Sequence, residues 1–111
     1  MGREFRRAIY HATKSFPREE TFGLANQIRR AACSVTANIA EGYGRFNLLD
    51  TAHFCVMALG SLSETLDHLY VALDEGYIRQ KTFDPLCEQG RESKRVLNGF
   101  LAHLRRKAGD G

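Results

Sequence analysis

"QIRRAACSVTANIAEGYGR", residues 27–45, keeps helical time in its apolar residues and sets its polar ones in a file of their own. Ile28, Ala31, Val35 and Ile39, preceded by Leu24, recur at the three- and four-residue steps of one helix face. At about 100° per residue, Gln27, Arg30, Ser34, Asn38 and Glu41 fall within about 80° of one another, beside that face. The file reads either as the solvated flank of an amphipathic helix or as an interhelical network. Gln27, Ser34 and Asn38 are neutral, unlike the Lys/Glu mixture of exposed faces, and Ser and Asn are poor mid-helix formers. The network is the reading these residue types favour.

The apolar stripe that accompanies the file recurs in three further segments. A first helix is predicted over Arg3–Lys14, burying Phe5, Ala8, Ile9 and Ala12, with Ser15-Phe16-Pro17 ending it because the residue before proline avoids the helical region. The second helix starts near Glu20 to Phe22 and continues to Glu41, with Gly42 suited to a left-handed C-cap. The third, over Asn47–Asp74, buries Leu48, Ala52, Cys55, Leu59, Leu62, Leu66, Leu69, Tyr70 and Leu73, and Gly76 stops it. The fourth begins between Lys81 and Pro85, with Thr82 or Asp84 as N-cap, and runs to about Lys107. Its stripe is Phe83, Leu86, Gly90, Leu97, Leu101 and Leu104.

No segment alternates with period two, and the connections are short, so sequential helices pack antiparallel. The expected fold is all-α, an up-down-up-down four-helix bundle, with residues 1–111 as a single domain. Three cysteines, Cys33, Cys55 and Cys87, are odd in number and widely spaced, and read as buried thiols of a reducing compartment. No apolar run reaches the roughly 18 residues of a membrane span, and the amino terminus lacks a signal-peptide pattern. A cytoplasmic protein with no membrane association is expected.

Charge is unevenly spread. Residues 46–78 hold no Lys or Arg and carry −5 against +3 overall, which leaves +8 for the rest. If helices two and three fold back about Arg45 and Phe46, residues whose numbers sum to about 91 lie level, which sets Arg30 beside Ser61 and Gln27 beside Glu64. Gly60 then permits close backbone approach, and Glu64 offers the carboxylate a guanidinium pairs with. Phe54, Met57, Ser61, Glu64 and His68 point away from the Leu face of helix three, as expected for a helix covered on two sides. The network is therefore placed at or beside a subunit contact.

His11, His53, His68 and His103 show no metal-binding spacing, and Ser34 and Ser61 have no neighbouring His to activate them, so neither a metal site, a cofactor nor an enzyme is expected. In an up-down-up-down bundle the amino terminus, the helix two–three loop and the carboxy terminus share one end. That end gathers Arg3, Arg6, Arg7, Arg45, Arg105, Arg106 and Lys107. It reads either as a solvated cationic surface or as a nucleic-acid contact, with Phe5, Tyr43 and Phe46 the aromatics nearby.

"FPREETFGLANQIRRAACSVTANIAEGYGR" (16–45) with "ALGSLSETLDHLYVALDEGYI" (58–78) closely resembles the four-helix bundle family first described as the 23S rRNA intervening-sequence protein. The resemblance spans about residues 9–78 and marks Phe16, Pro17, Glu20, Gly23, Leu24, Gln27, Arg29, Arg30, Ser34, Asn38, Glu41, Gly42, Gly44, Arg45, Gly60, Ser61 and Glu64. Family members usually carry about three further turns before the Ile9-Tyr10 pair, so the resemblance implies a shortened helix one. The resemblance implies a homopentamer with a central channel. It also implies kinship with the accessory variability determinant of diversity-generating retroelements, a basic partner of nucleic acid and reverse transcriptase. Most members have no assigned activity. The sequence thus points to a non-enzymatic oligomeric accessory or scaffold that binds RNA or DNA through its basic end. The alternative is a protein-interaction module without nucleic-acid binding.

Overall fold

Phe5 and Ile9 near the amino terminus, Ile28 and Val35, Leu62 and Leu69, and Leu97 are each no more than 1% exposed. Burying such a side chain contributes about 1.5–3 kcal/mol, and these residues fall one or two to a helix. A computed structural model of the chain describes residues 2–110 and places them on α1 (Arg3–Thr13), α2 (Leu24–Tyr43), α3 (Leu48–Asp74) and α4 (Gln80–Asp110). A 3-10 turn covers Arg18–Glu20, and no strand occurs among the described residues.

Side-chain contacts fix the direction of each helix. Arg6 donates to Thr36 Oγ1 (3.1 Å) and Arg29 to Thr13 Oγ1 (2.7 Å), so α1 runs against α2. Ser61 donates to Ser34 Oγ (2.8 Å), and Thr51 Oγ1 to the carbonyl of Gly42 (3.0 Å), so α2 runs against α3. Cys55 Sγ meets the carbonyl of Leu97, and the Tyr70 and Phe83 rings lie 4.9 Å apart, so α3 runs against α4. Each of α1 and α3 packs against α2 and α4, which makes α1 and α3 diagonal partners in an all-α, up-down-up-down four-helix bundle of 51 × 24 × 18 Å.

The turns at one end are tied together. Glu20 Oε1 accepts from the Leu24 backbone N–H (3.0 Å), which caps α2, while Oε2 accepts from the Tyr77 hydroxyl (2.7 Å). The Phe16 ring lies 5.7 Å from that of Tyr77. Gly76 takes a φ of 75°, the left-handed conformation that stops α3. The segments "FPREETFGL" and "GYI" therefore meet in one structural plate, although they are far apart in the chain.

Several boundaries differ from the sequence reading. Helix two begins at Leu24 because Arg18–Glu20 are wound into the 3-10 turn and Glu20 supplies the cap from outside. Gly42 is not a left-handed C-cap. It is buried within α2, where a Cβ would lie 3.2 Å from Phe54 Cβ, so its missing side chain admits α3. Helix four begins at Gln80, not at Lys81 to Pro85, and runs on to Asp110. Thr82 and Asp84 are inside it, Asp84 accepting instead from Gln80 Nε2 (2.7 Å). Pro85 is exposed in the second turn, where water can satisfy the carbonyl its ring leaves free. Leu48 (39%) and Tyr70 (43%) are exposed because they sit at the edges of the α3 stripe.

Candidate functional site

The polar file of α2 is in part an interhelical network. Asn38 Nδ2 donates to the Ser34 carbonyl (2.9 Å) and Ser34 Oγ (3.1 Å), and Ser34 Oγ accepts from Ser61. Ser34, not Arg30, is thus the residue that meets Ser61, at a sum of 95 rather than 91. Side chains lean toward the amino end of their own helix, so in an antiparallel pair the tips meet at a larger sum than the backbones do.

Beyond Ser34 the file opens. Gln27, Arg30, Ala31, Ser34 and Glu64 line a surface groove of about 370 Å³. No ion pair joins Arg30 to Glu64. The partner of Glu64 is His68 on its own helix, at 3.8 Å. At the other end of the file Glu41 pairs with Arg45 (3.1 Å), whose guanidinium covers the Phe54 ring at 4.8 Å. Phe54 is therefore half-buried within the chain, whereas Met57 is 43% exposed. Gly60 meets nothing within 4 Å of a notional Cβ, so it serves no close approach inside the chain.

The arginine-bearing end is shared as the topology requires, but it is layered. Gly2, at the start of α1, lies against Val35, Thr36 and Ile39, about a turn short of the end of α2. Arg6 is held by Thr36, and Arg7 stands 3.8 Å from Glu4. Helix α4 reaches further, since Phe100 already packs on Tyr43 (6.0 Å) and Arg105, Arg106 and Lys107 follow by roughly 7–10 Å along the axis. These three and Arg3 are exposed. Phe46 is wholly exposed and Tyr43 63% exposed at the same end, while Phe5 is a core residue.

Two features carry no simple sequence signal. Tyr10 on α1 touches Cys33 Sγ at 3.0 Å beneath Arg29, whose guanidinium lies 5.0 Å from the ring centre. Cys33 is consequently half-buried, in contrast to buried Cys55 and Cys87. The hydrogen bond to Cys33, then burial, pushes the Tyr10 hydroxyl above its ordinary range. The second feature is a groove of about 720 Å³ between α1 and the start of α4. Among the described residues no cluster of His, Cys, Asp and Glu is placed to hold a metal, and no helix is long and apolar enough to cross a membrane.

Four antiparallel helices, two turns tied by Glu20 and Tyr77, and a Ser34–Ser61 seam define an all-helical bundle. The family model described as 23S rRNA-intervening sequence protein matches residues 1–99, and the chain belongs to that family. Arg105, Arg106 and Lys107 lie beyond the matched range. A crystal structure of a protein of unknown function from the S23 ribosomal protein family of Bacteroides thetaiotaomicron is similar in fold, with a TM-score of 0.83 at 24% identity. The similarity covers 90% of this chain and 94% of that one. A comparison with curated proteins returns no match.

Proposed function

We propose that this protein is a non-enzymatic oligomeric bundle, a homopentamer as its family resemblance implies, that serves as an accessory or scaffold for RNA or DNA. The observation that carries the nucleic-acid reading is the composition of one end. Exposed Phe46 and Tyr43 stand there with Arg3, Arg45 and the cationic last turns of α4. Exposed cations attract phosphate even where one of them, Arg45, also meets a carboxylate, and exposed rings offer bases a stacking surface, which together make a sequence-tolerant contact. The family's own description, which names a 23S rRNA intervening sequence, supports the same direction. Cyclic assembly would repeat this end around one rim and raise avidity without any new contact.

The test is a titration of RNA, single-stranded DNA and duplex DNA at two salt concentrations. Affinity should fall steeply with salt. Replacing Arg105, Arg106 and Lys107 by Gln should weaken binding to all sequences alike and reduce the duplex salt slope by about 2–3. Absence of retardation at low salt would remove the nucleic-acid reading and leave a protein-interaction module, for which the exposed face of α3 is the natural surface.

A further inference from the structure

The outward face of α3 has no partner among the described residues. Leu49 is 64% exposed, Val56 and Met57 each 43%, and Val71 39%. Gly60 sits among them. A glycine in a helix interior costs about 1 kcal/mol against alanine, and nothing inside the protomer approaches this one. All the charge that α3 contributes is negative, with Glu64 and Asp67 on the outward face. Arg30 of α2 and Arg45, over the Phe54 ring, at one edge, and Arg91 of α4, which donates to the Tyr70 hydroxyl at the other, flank it.

The side of the bundle where α1, the diagonal partner of α3, meets α4 has the complementary character. There the groove between α1 and the start of α4 has an apolar floor that includes Ala8, Ala12 and Leu86, and its rim carries His11, Lys14 and Arg79. Among the described residues no carboxylate lines it.

The two surfaces are also in register. Tyr10 touches Cys33, and the next residue of α2, Ser34, bonds Ser61, so Tyr10 on α1 and Ser61 on α3 stand at nearly one height. Helices α1 and α3 run in the same direction. His11 and Lys14 therefore lie within about a turn of the heights of Glu64 and Asp67. Copies related by rotation about an axis along the bundle keep these heights, so acid meets base without sliding.

We propose that residues 60–67 of the α3 face of one copy seat in the α1–α4 groove of the next, Gly60 level with Ala8 and Glu64 and Asp67 facing His11 and Lys14, while Val56 and Met57 lie along the first turns of α1. This rests on the oligomeric reading above and assigns its contact. Because the two surfaces differ and lie on different sides, the contact is head-to-tail and repeats around a ring. It gives the uncovered middle of α3, the unexplained glycine and the acid-poor groove one common cause.

Charge reversal on the full chain tests it by light scattering of gel-filtered protein, with circular dichroism to confirm the fold. Asp67→Lys and Lys14→Glu should each shift the assembly midpoint to roughly tenfold higher concentration or more, because like charges then face each other. The double variant again sets opposite charges across the contact, with their sides exchanged, and should regain most of the wild-type assembly. Gly60→Arg, which meets nothing in the protomer, should dissociate the oligomer while keeping its helix. An oligomer indifferent to either single reversal, or a double variant that is not rescued, overturns the assigned contact and leaves the oligomer itself standing. A wild-type protein that is monomeric at every salt and concentration overturns both.

Discussion

Glu20 and Tyr77 are 57 residues apart in the chain and 2.7 Å apart in the fold. The same carboxylate caps α2 through Leu24, so the entry to the second helix and the turn before the fourth depend on one side chain.

The bond has a pH signature. The Leu24 N–H and then the Tyr77 hydroxyl hold the Glu20 carboxyl below its ordinary value, so its contribution is present above pH 4.5 and lost as pH falls. Glu20 in turn pushes the Tyr77 hydroxyl up to about 12 from 10.0, so that contribution is complete below pH 10 and lost as pH rises toward 12. Tyr77→Phe should therefore lower the melting temperature most near neutral pH. The gap from wild type should narrow in acid and in strong alkali, as followed by circular dichroism melts. A gap that is constant with pH would show that the tyrosine acts by packing alone.

The Gly90 notch gives a second expectation. A Cβ there would lie 2.7 Å from Leu66 Cδ2 and 3.1 Å from the Phe5 ring. Gly90→Val should destabilise by about 1–3 kcal/mol through overpacking, readable in urea denaturation. Phe5→Leu in the same chain should recover part of the loss.

At the α2–α3 seam, Ser61→Ala removes the bond to Ser34 but leaves Asn38 as a second partner of that hydroxyl. The expected cost is about 0.5–1.5 kcal/mol. Asn38→Ala together with Ser61→Ala should cost more than the two separately, because the Ser34 hydroxyl then has neither partner.

Arg30 and Glu64 should behave differently. Both are exposed, and no ion pair joins them. A double-mutant cycle on the dissociated protomer should give a coupling of about 0–1 kcal/mol. A value near that of a buried pair would require the groove to close around them.

The apolar stripes were legible because burial on a helix imposes a three- and four-residue period, and Phe5, Ile28, Leu62 and Leu97 all obey it. The edges of a stripe were not, since Leu48 and Tyr70 keep the period yet face outward. Glycine was the least legible residue. Gly42 is a packing notch, Gly76 a helix stop, and Gly60 neither, and spacing alone does not separate these roles. Of the candidate site, the Ser34–Ser61 seam was readable from residue type but misplaced by one helical turn, because the lean of side chains enters only with the third dimension. Glu20–Tyr77 had no local signal at all. The layering of the arginine-bearing end follows from how far α4 outruns α1, a length the apolar pattern understated by three residues at its end.

Helix α1, at 11 residues, is the shortest of the four, and its fully buried anchors are Phe5 and Ile9. A helix this short is not stable alone, so its opening can precede global unfolding. Native-state hydrogen exchange should find the α1 amides released in a sub-global step while those of α2 and α3 wait for complete unfolding. Lifting α1 would also remove one wall of the groove it shares with α4. Any partner seated there would then slow exchange in α1 before it altered the protection of any other helix.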